Sequence, residues 1–450
     1  MIPLLSRDAT IAQPGYSRWL VPPAAIAVHM CIGQVYGFSV FKKPLAQVLG
    51  VTAPGPGDWS EVDVGVAYSI ALALLGLSAA VFGKWVDRSG PRKTMLASMV
   101  CFCSGLVLSA AAVHWHQLWL LYAGYGLIGG IGLGLGYIAP VSTLLKWFPD
   151  RPGMATGMAI MGFGGGALIG GPLAEDLMGR FASATSVGAS EALLIMAGLY
   201  AVSMTFGATI VRVPPDGWRP PGWTPQTQSS RLITTANVGV DTAWRTRQFW
   251  LLWVVLCTNV SAGIGILGQA SPMIQDMFGV TPAAAAGYVG LLSLCNLAGR
   301  FFWSSMSDLT GRQGIYTVYF VLGAALYASV PWTQGQGNVT LFVIVTGLIL
   351  TMYGGGFATI PAYLRDLFGS YQVGAIHGRL ITAWSMAAIV GPQVVDRLSA
   401  ANKATMPAEQ AYNGIFLLMV AVLVVGLVAN LLVRPVHPSH HIQEEATATP

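Results

Sequence analysis

A repeat set among long uncharged runs restricts this chain more than anything else in it. GKWVDRSGPRK, Gly83 to Lys93, joins two such runs, and a trimmed copy, SDLTGR at Ser307 to Arg312, joins another pair. Asp87 and Asp308 lie 221 positions apart, as do Gly90 and Gly311, while Gly171-Pro172 and Gly391-Pro392 lie 220 apart. Such spacing points to a parallel duplication. Each half has room for six apolar runs of roughly 20 residues, the length that crosses a bilayer. The expected fold is an all-α membrane protein with twelve transmembrane helices in two six-helix bundles around a central path.

Only 9% of the 450 residues are charged, too few to keep a soluble chain of this length dispersed. The 55 glycines suit close helix contacts in lipid. A net charge of +5 therefore concerns topology, not nucleic acid. Cys31, Cys101, Cys103, Cys257 and Cys295 stand in apolar runs without a CxxC pair, which argues against disulfides and zinc. No cofactor or metal is expected. The first apolar stretch, Trp19 to Phe41, is too long for a cleavable signal core and is expected to stay as helix one.

Further runs lie near 62–83, 94–113, 118–145, 153–174 and 190–211, then 248–271, 282–306, 313–333, 338–363, 373–396 and 411–433. The organisation expected is a bundle over 1–211, a Pro-rich cytoplasmic linker over 212–247, a second bundle over 248–434 and a disordered cytoplasmic tail over 435–450. Of the 23 Lys and Arg, 17 fall in the amino terminus, the even-to-odd loops and the tail, and five (Lys42, Lys43, Arg180, Arg397, Lys403) on the other side. By the positive-inside rule both termini are cytoplasmic, in a multi-pass protein of the plasma (inner) membrane. His437, His440 and His441 in the tail read as solvated rather than metal-binding.

The remaining cation, Arg300, stands inside a run, where a guanidinium costs about 2.5–3.5 kcal/mol even on lenient insertion scales. All 18 Asp and Glu fall in loops, tails or helix ends. A substrate carboxylate, gripped by the guanidinium fork, is one partner for it; the other reading is an arginine that snorkels to water and sets topology. Asn296, four residues earlier, shares its helical face and either orients arginine or ligand or makes a structural interhelical bond. Gln34, Tyr36, Tyr137 and Tyr353 are polar-tipped residues in apolar spans, readable as lining a wet cavity or as packing residues with internal partners. Trp384 offers bulk and one donor. His29 is the candidate for proton coupling, against the commoner case of a ring satisfied by a neighbour.

GGIGLGLGY, Gly129 to Tyr137, is no nucleotide loop, since it lies in an apolar run with no strand before it. Gly126, Gly130 and Gly134 instead form a smooth stripe for a neighbouring helix. In the repeated loop, Gly83 and Gly90 permit tight turns, Asp87 suits a helix amino terminus or a basic side chain, and Arg88 and Arg92 stay cytoplasmic. With Asp308 and Arg312 they are read as a latch between the bundles.

At these residues the chain resembles the major facilitator superfamily, whose signature G-x-x-x-D-R-x-G-x-R-K is matched at every fixed position from Gly83 to Lys93. RTRQFWLLW at 245–253, NLAGRFFWSSMSDLTGR at 296–312 and LKWFPDRPGMATG at 145–157 are similar to the oxalate–formate antiporter family and, more distantly, to monocarboxylate transporters. The resemblance implies a rocker-switch carrier in which Arg300 holds the substrate carboxylate and Tyr36, Tyr137 and Tyr353 are aromatic pocket residues; no enzyme is expected, since the spans show no carboxylate pair, metal cluster or nucleophile–base pair. Two departures stand out. Trp384 takes the place of the oxalate carrier's helix-eleven lysine, and Asn296 that of the aspartate of animal monocarboxylate carriers. One cation suits one carboxylate, because a dianion would leave a charge uncompensated.

The function expected is alternating-access transport of a small monocarboxylate (lactate-, pyruvate- or formate-like) by a monomer in the bilayer. The alternatives are oxalate–formate or other dicarboxylate exchange and, from another class, a non-transporting carboxylate receptor.

Overall fold

The computed structural model describes residues 6–224, 232–234, 236–267, 270–407 and 410–442; parts of the expected linker (225–231 and 235) and tail (443–450) lie outside the described residues. Helices follow the apolar runs in order. α1 is Val21–Ile32, continued by a 3-10 stretch, Gly33–Gly37, and by Ser39–Leu45. Then come α2 (Glu61–Ser89), α3 (Pro91–His114), α4 (Leu118–Leu121, a π stretch Tyr122–Gly129, and Gly130–Trp147), α5 (Pro152–Phe181) and α6 (Ala189–Ile210). The second set is α7 (Arg247–Leu267 and Ala270–Phe278), α8 (Pro282–Thr310), α9 (Arg312–Gly335), α10 (Val339–Phe368), α11 (Val373–Leu380 and Thr382–Lys403) and α12 (Asn413–Leu431). This is the expected fold of twelve membrane helices in two bundles. Ten helical stretches among the described residues are long and apolar enough to span. α7 and α8 complete the set, and α8 is the more polar for carrying Arg300, Asn296 and four serines.

Several helices outrun their apolar runs. α2 was expected to end near residue 83 but continues to Ser89, because the helix stops where its hydrogen bonding is interrupted and not where lipid ends. Gly90 interrupts it: at φ 82° it closes α2 and admits Pro91 as the first residue of α3. Gly311, at φ 78°, does the same between α8 and α9. The other end of α2 is held by a capping box, in which Ser60 Oγ accepts the Asp63 N–H and Asp63 accepts the Ser60 N–H, both at 3.1 Å. α4 departs from one regular helix at its π stretch, where three glycines soften the altered backbone.

The stripe on α4 faces α2. A Cβ on Gly134 would stand 2.2 Å from Ser78 Oγ and 2.4 Å from Leu75 O, so only glycine admits this approach. α5 packs on α1 and on α8, and α2 packs on α11, so the two halves meet along α5–α8 and α2–α11. The inward faces of these four helices, with those of the neighbouring α1, α4 and α10, line the path between the halves.

Candidate functional site

Arg300 sits on that path, 1% exposed. Its Nε donates to Asn296 Oδ1 at 3.2 Å, and its Nη1 crosses to the Ile160 carbonyl of α5 at 3.3 Å. Nη2 is buried and has no hydrogen-bond partner among the described residues. No carboxylate of the described residues forms a salt bridge with it. Two rings flank the guanidinium, Phe163 at 5.9 Å and Phe357 at 5.3 Å. The snorkelling alternative does not describe this side chain, which runs into the contact between halves.

An aromatic cluster surrounds it. Tyr36 lies beside Arg300 and Tyr353 and packs on Phe163 (5.1 Å) and Trp384 (6.4 Å). Trp384 also meets Tyr137 (6.5 Å), Phe163 (6.1 Å) and Phe357 (5.5 Å), and Tyr353 meets Phe357 (5.4 Å). The Tyr137 and Tyr353 hydroxyls and the Trp384 Nε1 are buried without hydrogen-bond partners among the described residues. Buried donors left unpaired cost on the order of 1–3 kcal/mol each. Arg300, Asn296, Tyr36, Tyr137, Tyr353 and Trp384 are thus gathered from both halves into one donor-rich, acceptor-poor cluster.

Gln34 is placed differently. Its side chain lies against Gly170 of α5, which the Tyr200 hydroxyl of α6 also approaches, with both amide atoms unpaired among the described residues. His29 is fully buried, its Nδ1 2.7 Å from the Ala159 carbonyl and its Nε2 3.1 Å from that of Tyr137, with its ring stacked on Tyr137 at 5.4 Å. A neutral imidazole donates to only one of those oxygens.

At one end of the path, where the 83–93 loop lies, the repeated residues cross between halves. Asp308 accepts the Gly153 and Met154 amides at the start of α5, both at 2.8 Å, and Asp87 accepts the Ala375 amide at the start of α11 at 3.1 Å. Arg312 pairs with Asp308 at 2.7 Å and with Asp366 at 3.0 Å, and donates to Ser307. A Cβ on Gly83 would stand 2.7 Å from Ala375 Cα. Arg92 is buried, and Arg88 is exposed.

Sequence reading missed two parts of this region. Asp241, in a short helix (Val240–Ala243) of the expected linker, bridges Lys84 of α2 and Arg379 of α11, the latter at 2.9 Å. Hydrogen bonds from Lys84 and from Arg379 hold its carboxyl below the usual carboxylate range. One of only two acids, with Asp216, in an otherwise basic stretch, it was the available signal. His377, described below, gave none, because a histidine flanked by Ile376 and Gly378 reads as ordinary helix filling.

A model of the Major Facilitator Superfamily matches residues 24–392. The oxalate:formate antiporter of Oxalobacter formigenes is 24% identical over 83% of this chain and 83% of its own length. Apicoplast pyruvate carrier 1 of Toxoplasma gondii is 26% identical over 83% of this chain and 82% of its own. Among solved structures, a fucose transporter in the outward conformation superposes with a TM-score of 0.63 at 14% identity, over 92% of this chain and 99% of that one.

Proposed function

The chain belongs to the Major Facilitator Superfamily and is a membrane transporter, and we propose that it carries a small monocarboxylate, lactate-, pyruvate- or formate-like, by alternating access. One observation carries this reading: a buried guanidinium with an unpaired Nη2 and no fixed counter-ion among the described residues. Nη2 belongs to both forks of an arginine, so a carboxylate gripped in either fork uses it. The end-on fork also needs Nη1, which now binds Ile160 O of the other half. A carboxylate seated there displaces that carbonyl and loosens a contact between halves, which couples binding to movement. Asn296 steadies Nε, and Tyr36, Tyr137, Tyr353 and Trp384 supply further donors and walls.

In this reading residues 1–211 and 248–434 are the bundles, 212–247 the cytoplasmic linker and 435–450 the tail. Both termini face the cytoplasm of a plasma (inner) membrane protein, which acts as a monomer. Gly83, Asp87, Gly90, Asp308 and Arg312 latch the cytoplasmic end, with Arg88 and Arg92 anchoring it. His29 is the proton site: a second proton on its ring gives both nitrogens a donor for the carbonyls they face.

Exchange of oxalate or another dicarboxylate is the second reading, favoured by the antiporter relative. The cluster offers Arg300 as its cation, with Trp384 where a second would stand, and that supports a monoanion. The test is uptake of labelled lactate, pyruvate and formate into proteoliposomes, wild type against Arg300→Ala. Loss in the variant, with weak competition by oxalate, is expected. Unchanged uptake in the variant removes Arg300's role, and strong oxalate competition favours exchange.

A further inference from the structure

His377 lies in the first helical stretch of α11, 2% exposed, and its Nε2 has no hydrogen-bond partner among the described residues. It stands where the halves touch. A Cβ on Gly378 would come within 2.2 Å of Ala79 O of α2, and Ala375 abuts Gly83. The ring meets Tyr137 of α4 at 5.8 Å, tilted by 49°. Two helical turns further along α11, Trp384 belongs to the Arg300 cluster.

The charged groups around this turn are otherwise engaged. From α2, Asp87 accepts the Ala375 amide and Lys84 pairs with Asp241 of the linker helix, which also holds Arg379 of α11. From α10, Asp366 pairs with Arg312, Arg365 donates to the Pro149 carbonyl, and Tyr353 belongs to the Arg300 cluster. The Tyr363 hydroxyl reaches Asn430. Lys146 lies two turns beyond Tyr137 on α4, and Arg247 opens α7. On α1, His29 meets Tyr137 from within its own half. None of these hydrogen-bonds the His377 ring, so a positive charge there would be buried without a counter-ion, at a cost of several kcal/mol.

We propose that His377 is a proton-operated release for this end of the path: the closed interface accepts only the neutral ring, and a proton taken up when the interface parts holds it open. The device does not depend on which anion is carried. A ring hydrated in the open state titrates near the ordinary imidazole value of about 6.5. If only the open state binds the proton, the open-to-closed ratio rises about tenfold between pH 7.5 and pH 5.5. Acid on the side to which this end opens would therefore retain the carrier in that state.

Hydrogen exchange of the full chain in nanodiscs tests it, following backbone segments 79–89 and 373–381, with exchange times scaled for the intrinsic pH dependence. Wild-type protection is expected to fall about tenfold from pH 7.5 to pH 5.5. His377→Gln, neutral throughout, should keep its protection, while His114→Gln, at an exposed ring at the far end of α3, should respond like wild type. A wild type with equal protection at both pH values, or a His377→Gln chain that still responds, overturns the proposal. A response lost in His29→Gln and kept in His377→Gln assigns the device to the ring of His29. Because no substrate is present, the result stands apart from that of the uptake assay.

Discussion

Asp308 accepts the Met154 amide at 2.8 Å, so a carboxylate of one half closes the first turn of a helix of the other. The pair recurs 221 positions apart at both members: Asp87 accepts the Ala375 amide at the start of α11. The duplication is thus preserved as a contact, with each half capping a helix of its partner. A carboxylate suits that place because the first-turn amides lack intrahelical acceptors and carry the positive end of the helix dipole.

Asp308→Ala is expected to destabilise the chain by about 2–4 kcal/mol, since two amides lose a charged acceptor and Arg312 loses one of two carboxylates. Asp87→Ala should cost less, because Asp87 accepts one amide and forms no salt bridge among the described residues. Thermal unfolding in detergent ranks the two, and equal losses would contradict the asymmetry.

Asn296→Asp would put a fixed anion 3.2 Å from Arg300 Nε, where the amide oxygen now sits. Substrate then competes with a built-in partner, and affinity for the monocarboxylate should fall roughly tenfold or more at neutral pH. Protonation of the new acid should restore it at low pH. Binding isotherms at pH 7.5 and 5.5 check both halves of the expectation.

Trp384→Lys would add a second cation to the Arg300 cluster. Oxalate should gain on monocarboxylates in competition for uptake, because both of its charges then find a partner. No change in the ratio of inhibition constants would mean that position 384 does not face the anion.

Asp241 predicts what acid does not do. Its bonds from Lys84 and then Arg379 lower its carboxyl in the folded chain, so its contribution is complete above the unfolded value of about 3.8 and is lost only as pH falls through the lower folded value. Between pH 7.5 and 5.5 this strap stays charged and contributes nothing to the release assigned to His377. Its side chain is 61% exposed, so salt should act where acid does not. Raising ionic strength from about 0.05 to 0.5 M is expected to speed amide exchange in 236–244, and Asp241→Asn to abolish that salt effect.

Gly134→Ala is expected to cost about 1–3 kcal/mol through overpacking, because the added methyl meets Ser78 Oγ and the Leu75 carbonyl. Gly198→Ala, with nothing within 4 Å of its Cβ position, should be neutral or slightly stabilising by the same thermal measurement.

Apolar runs, the 221-residue repeat and one arginine inside a run were legible from the chain alone, because hydropathy, spacing and the cost of charge in lipid are properties of residues taken singly or in register. Helix ends were less so: α2 outran its apolar run, since polar residues continue a helix in water as readily as apolar ones in lipid. The gathering of Tyr36, Tyr137, Tyr353 and Trp384 around Arg300 followed from which helices face the path. Gln34, another polar-tipped residue on one of those helices, lies against Gly170 instead.

What the sequence by itself determined, then, was the number of spans, their duplication and the presence of a cation within a span, all set by the free energy of placing each side chain in lipid or water. Only the tertiary structure decided that Arg300 Nη1 borrows a carbonyl from the opposite half, that Asp241 joins Lys84 to Arg379, and that His377 Nε2 has no hydrogen-bond partner among the described residues. Those depend on a few tenths of an ångström and on which of several equally apolar faces meet, and no pattern along the chain encodes either.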